Sequence, residues 1–208
     1  SVKQEPQSFD LPFIQKADRP LSVQDAQTVL ASHYSDTEYD LTNPKNAGQA
    51  SFRPIGVATT QESHLLQLKG EDMYHWLAMG VTAQSVYIPF FPQGTKVPYM
   101  WGNGKVDYSP NSAYWIFKLA GVLVDRNWSK YGKELANAQT EAKEKVLRLR
   151  YEYDQKLHAD PSQATAIADE ANAKMAKTVT DIYNKLISSL ITQQTGDSPL
   201  SFQMDPNL

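Results

Sequence analysis

Between residues 52 and 91 the chain reads FRPIGVATTQESHLLQLKGEDMYHWLAMGVTAQSVYIPFF, four strand-length runs of β-branched, aromatic and aliphatic residues at 52–60, 63–69, 73–79 and 85–91. Gln61-Glu62, then 70–72, then 80–84 separate them, and these breaks are turn-sized and polar or glycine-bearing. Strands joined this closely pair antiparallel, because a parallel pair needs a crossover of a dozen residues or more. The pattern predicts a four-stranded meander. In the second run Ser63, Leu65, Gln67 and Lys69 alternate with His64, Leu66 and Leu68, as expected when one face meets a core. In the third, Tyr74, Trp76 and Ala78 share one face and Met73, His75, Leu77 and Met79 the other. Apolar character on both faces predicts a central strand covered on both sides. Pro89 cannot donate a ladder bond and marks an edge or an end of the fourth run.

Outside this stretch the period becomes helical. Ser22 is an N-cap for a short helix reaching His33, with Val23, Ala26, Gln27 and Leu30 on its spacing. Residues 34–51, rich in Asp, Asn, Gly and Thr, form a loop long enough to suggest a function. Residues 90–108 form another, in which Trp101-Gly102-Asn103-Gly104 is a tight-turn signal; it lacks the GK[ST] ending of a phosphate loop. Ser109-Pro110 starts a helix whose stripe includes Ala113, Ile116, Phe117, Ala120, Leu123 and Val124, and which is expected to lie on the sheet. After Gly132, Leu135, Ala138, Ala142, Val146, Leu149, Tyr153 and Leu157 recur at spacings of three and four. Asp160-Pro161 then opens a second long stripe, from Ala164 through Met175 to Leu190, which makes an antiparallel helical hairpin.

The predicted fold class is therefore α+β: an antiparallel sheet meander covered by helices, plus a long antiparallel helical hairpin. Residues 1–130 form the sheet-and-helix part, 131–195 the hairpin packed on the same domain, and 196–208 a tail in which SFQM reads as a short strand.

The chain has 208 residues, one large domain or two small ones, enough to bury roughly 70% of the unfolded surface. A hydrophobic content of 41% excludes wholesale disorder. Twenty basic against 23 acidic side chains give a net charge of -3, and without a dense basic patch no nucleic-acid partner is expected. No apolar run approaches the ~20 residues of a membrane helix, and residues 1–9 lack the apolar core of a secretion signal. Zero cysteines exclude disulfides, thiolate metal sites and a cysteine nucleophile in this chain.

The words RPIGVATTQESHLLQLK, SVYIPFF and SAYWIFKLAGVLV, in that order, with PLSFQMDPNL at the end, resemble the C-terminal half of the bacterial cysteine dipeptidases of the N-terminal-nucleophile (Ntn) hydrolase superfamily. The resemblance covers nearly the whole chain, most firmly 53–125. It implies that the sheet is part of an αββα sandwich and that dipeptides are hydrolysed by a cysteine at the mature N-terminus of the other half. It also implies no metal or other cofactor. On this reading the chain is a fragment with the scaffold and without the reactive atom, and is inactive alone. Its expected partners are the missing N-terminal half, a dipeptide substrate in the intact enzyme and further copies in a homo-oligomer. Cysteine content gives no reading of the compartment if half of the protein lies elsewhere; the cytoplasm is the expected location.

The candidates for lining the active site are Arg53, Thr60, Gln61, Ser63 and His64. Arg53, after the long loop, is placed to bind a substrate carboxylate or to be a plain strand-edge cation. Thr60-Gln61-Glu62-Ser63-His64 is the most family-like word and serves equally as a hairpin. Ser1 reads as a cut point, since the residues after it do not form the strand a nucleophile should begin. The histidines at 33, 64, 75 and 158 have no close ligand spacing, although His64 and His75 can meet across adjacent strands. The alternative function is a non-catalytic interaction or oligomerisation module that displays the hairpin. Exposed apolar sheet surface separates the two: a half-enzyme shows such a face, and a self-sufficient module covers it.

Overall fold

The computed structural model describes residues 8–9, 11–46, 48, 52–70 and 72–198. Its central element is a β-hairpin, β1 Glu62–Lys69 with β2 Asp72–Met79, in the register Ser63↔Ala78, Leu65↔Trp76 and Gln67↔Tyr74. Gly70 sits at φ +61°, the left-handed conformation that a tight hairpin turn requires. β3, Ile88–Phe90, adds antiparallel to the other side of β2, with Trp76 opposite Pro89. The protein is thus α+β with a three-stranded antiparallel sheet in the order β1-β2-β3.

The expected strand at 52–60 does not form. Pro54 has no N–H to give, and the segment is tied elsewhere: Gly56 N–H donates to Ser32 at 2.9 Å and the Tyr34 hydroxyl to the Arg53 carbonyl at 3.2 Å. The fourth run is shortened for a related reason. Residues 82–84 form a 3-10 turn (Thr82–Gln84), and helical side chains claim its carbonyls. Gln139 Nε2 donates to Ala83 and Ser85 at 3.0 and 3.1 Å, and the Tyr183 hydroxyl donates to Gln84 at 3.0 Å.

β2 is the central strand, fully buried on its helix-side face and half-covered on the other, where His75, Leu77 and Met79 are partly buried. Tyr74, Trp76 and Ala78 are buried under the helices, while on the opposite face Leu66, Leu68 and Met73 are 68%, 76% and 41% exposed. The alternation marks a surface that favours burial; it does not say what buries it.

α1, Val23–Leu30, starts at a reciprocal capping box, with Asp25 N–H donating to Ser22 Oγ and Ser22 N–H to the Asp25 carboxylate. It stops short of His33. The tight-turn signal is the end of a four-residue helix, α2 Tyr99–Gly102, which buries Trp101 between the rings of Phe90 and Phe117. Ser109-Pro110 forms a turn and not a helix start; α3, Ala113–Asp125, begins after Ser112. α4, Trp128–Ala159, begins before Gly132, because the Asn127 side chain caps it by accepting from Lys130 N–H.

Asp160 and a 3-10 turn, Pro161–Gln163, lead into α5, Ala164–Gly196. Tyr153 meets Glu170 near this turn and Tyr131 meets Asp197 at the far end, so the two helices run antiparallel as expected. α5 buries a second row beyond the stripe read from the sequence, including Asn172, Ala176, Tyr183 and Ile187. That row faces the sheet and α3. The Asn172 side chain accepts from Phe91 N–H at 2.8 Å and donates to Phe91 C=O at 3.0 Å. One turn earlier, Asp169 accepts from the N–H groups of Thr95 and Lys96 at 2.7 and 2.8 Å. Ser1 and the SFQM segment lie outside the described residues.

This clamp sets a prediction. Asn172→Ala leaves both Phe91 backbone groups without their buried partner and should cost about 2–4 kcal/mol in urea unfolding. Gly94→Ala should be destabilising for a different reason, since its Cβ would stand 2.7 Å from Asn172 Nδ2 and 3.0 Å from Asp169 Oδ1. Unchanged stability in both variants would show that the clamp is dispensable.

Candidate functional site

The loop before the sheet is organised around a buried carboxylate. Asp40 accepts from Thr42 N–H at 2.9 Å, from Thr42 Oγ1 at 2.6 Å and from Asp36 N–H at 3.2 Å. His33 Nε2 stands 3.8 Å away. Burial pushes the Asp40 carboxyl up, but the hydrogen bonds outweigh it and hold the group below its ordinary range. Tyr34 and Asp36 take left-handed backbone conformations at φ +63° and +62°, uncommon for any residue other than glycine and an outlier for bulky Tyr34. Tyr34, Tyr39 and Phe52 then stack edge to face, with centroids 5.0–6.5 Å apart, and deliver the chain to Arg53.

The structure does not gather the five sequence candidates into one cluster. Arg53 is exposed beside the aromatic group, and its carbonyl takes the Tyr34 hydroxyl. Thr60 closes a turn to Val57, and the Gln61 carbonyl accepts Gly80 N–H at 2.7 Å, which secures the open end of the hairpin. From there β alternation sends neighbours apart. Ser63 is on the helix side, hydrogen-bonded to the Tyr87 hydroxyl at 2.7 Å, and burial pushes that hydroxyl's pKa up. His64 is on the open face, with Nδ1 3.2 Å from Glu62 and its ring 5.6 Å from that of His75. The histidines meet as expected, diagonally across the two strands. Among the described residues no group of three His, Cys, Asp or Glu side chains is placed to hold a metal ion, and no helix is long and apolar enough to cross a membrane.

Sequence reasoning missed a cavity of about 600 Å³ on the helix side, between α1, the sheet and α4, with Tyr87 and Arg150 in its wall. Arg150 was hidden in what reads as the solvated face of a charged helix. Its spacing of four from Val146, along the buried row of α4, was the available signal.

The profile of Peptidase family C69 matches residues 1–141, and the chain belongs to this family. It is 31% identical over its whole length to a probable dipeptidase of Latilactobacillus sakei, covering 45% of that protein. It is 29% identical to dipeptidase A of Lactobacillus helveticus over 96% of this chain and 44% of that one. A probable dipeptidase B of Lactococcus lactis is 25% identical over 97% of this chain and 44% of the relative. The chain therefore spans less than half the length of these curated relatives.

The environment of His75 predicts a pH-dependent contribution to stability. Burial first, and the neighbouring His64 second, push the His75 pKa below its ordinary value. The unfolded chain therefore binds the proton before the folded one does as pH falls through about 6.5. Stability should decline from pH 7.5 to pH 5, and His75→Gln should flatten that part of the curve. Melting temperatures across this range test it; parallel curves for the two proteins would remove His75 as the cause.

Proposed function

We propose that this chain is the C-terminal portion of a dipeptidase that hydrolyses dipeptides through an N-terminal cysteine encoded outside it. The observation that carries this reading is the match along the chain to proteins named as dipeptidases, each more than twice as long. Such a nucleophile needs a free α-amino group, titrating near ~7.7–8.0, as its own base and amide donors for the oxyanion. The present sequence contains no cysteine. It provides scaffold: a sheet with helices on one face and Leu66, Leu68 and Met73 exposed on the other.

In the intact enzyme, on this reading, the exposed face receives the second sheet of an αββα sandwich at the ~10 Å spacing of stacked sheets. Arg53, Thr60, Gln61, Ser63 and His64 remain the candidates for lining the active site, as residues near the start of β1. The enzyme would act in the bacterial cytoplasm as a homo-oligomer. The uncovered face argues against the alternative of a self-sufficient interaction module, which would bury such a surface within itself.

The full-length gene product should hydrolyse simple dipeptides and lose that activity on treatment with iodoacetamide. Residues 1–208 alone should turn over no dipeptide. Turnover by this chain alone, or full-length activity insensitive to thiol alkylation, contradicts the reading.

A further inference from the structure

We propose that residues 9–21 form a strap that docks on the portion of the polypeptide lying outside this chain, a contact separate from the open face of the sheet. Every described residue from 9 to 22 is exposed. Phe9 and Phe13 are fully exposed, and Ile14, Leu21 and Leu11 are 82%, 68% and 52% exposed. Scattered exposed apolar residues are ordinary, but a concentration of large ones in one short segment marks an interaction surface. Among the described residues no hydrogen bond or ring contact ties 11–18 to the rest of the chain. Covering the two phenylalanines alone would take roughly 300–500 Å² out of water, at about 150–250 Å² for each aromatic side chain.

The segment is free along its length and fixed at its root. Pro12 and Pro20 keep it from closing into a helix that could hide its own apolar side chains. At the root, the Arg19 guanidinium donates to both oxygens of Asp25, at 2.8 and 2.5 Å, and the same carboxylate closes the capping box of α1. α1 is in turn tied to the segment before β3, where Thr82 Oγ1 donates to the Leu30 carbonyl at 2.9 Å. The strap therefore leaves the body from a defined point, which lowers the entropy lost when its apolar residues are laid on a surface.

Charge and length select the occupant. Between 9 and 21, Asp10 and Asp18 balance Lys16 and Arg19, so the segment has no basic excess to draw it to lipid headgroups or nucleic acid. An apolar strip without net charge fits an apolar protein surface. The family profile begins at residue 1, and the Latilactobacillus sakei relative aligns along the whole chain while being more than twice as long. The strap thus belongs to the body shared by the family, in polypeptides with more than half of their length elsewhere. A surface in the same polypeptide is met at an effective concentration in the millimolar range, which favours it over a second copy. The inference rests on the reading of this chain as part of a longer dipeptidase, and adds to it a contact that the stacking of sheets does not supply.

The test uses the full-length gene product with the photocrosslinker p-benzoylphenylalanine in place of Phe13. After irradiation, peptide mass spectrometry should show this position joined to a site outside residues 1–208, and a mixture of heavy-isotope and unlabelled protein should show the link within one molecule. Separately, Phe9→Ser combined with Phe13→Ser should make thermolysin cleavage within 9–21 about tenfold or more faster, the weight of one buried aromatic side chain. Phe13→Ser alone, read in the same way, decides the matter if the double variant fails to fold. Links to a second copy, links only within residues 1–208, no link at all, or unchanged cleavage overturns the proposal. A gene product no larger than 23.3 kDa overturns both this and the dipeptidase reading, whereas a longer product that links as expected but cleaves no dipeptide upholds the strap and removes only the activity.

Discussion

One buried amide joins the two halves of this structure. Asn172 on α5 gives and takes a hydrogen bond at Phe91, immediately after β3, and so treats that residue as a neighbouring strand would. β3 has three residues, and a hairpin such as β1–β2 alone is marginal in water. The sheet therefore relies on the helical layer for its third strand as well as for its core. Asp169, one turn away, extends the grip to the amides of Thr95 and Lys96, and those backbone donors hold its carboxyl below the ordinary range. On the strand beside β3, Tyr74 and Trp76 lie under the Arg150 guanidinium, at 5.2 and 5.7 Å.

The elements that were legible in the sequence are those whose cause is local. Two alternating runs around Gly70 define β1 and β2, and the long stripes around Asp160-Pro161 define α4 and α5. The segment at 52–60 has strand composition but not strand partners: its hydrogen bonds go to Ser32 and Tyr34, and no local pattern announces that. In the same way, Gln139 of α4 and Tyr183 of α5 hold the carbonyls of 83–85 and Thr82 reaches the Leu30 carbonyl, each partner more than fifty residues distant. The second buried row of α5 was missed because Asn172 and Thr180 look polar on a helical wheel. Each is satisfied internally, Asn172 by Phe91 and Thr180 by the Ala176 carbonyl at 2.6 Å.

The candidate site was less legible than the fold. Words that resemble a family identify a region, and β alternation then separates adjacent letters of one word: Ser63 and His64 go to opposite faces. The cavity draws on α1, β1, β2, the segment before β3 and α4, so no window of sequence contains it. Gln27, Ser85 and Arg150 are ordinary residue types at ordinary spacings. Only a buried polar atom without a hydrogen bond distinguishes each of them, and burial is a property of the fold.

The sheet also has an outer margin. Among the described residues no strand pairs with the far side of β1, the strand that carries the exposed Leu66 and Leu68. A bare edge next to an apolar surface is the arrangement that templates intermolecular β-pairing. A newly made molecule in which this margin is still open has two fates, productive closure or capture by another nascent copy, and concentration favours the second. The steady-state amount of this protein in a cell would then be governed by how quickly the margin is closed and by chaperones that occupy it meanwhile, more than by the equilibrium stability of the helical layer.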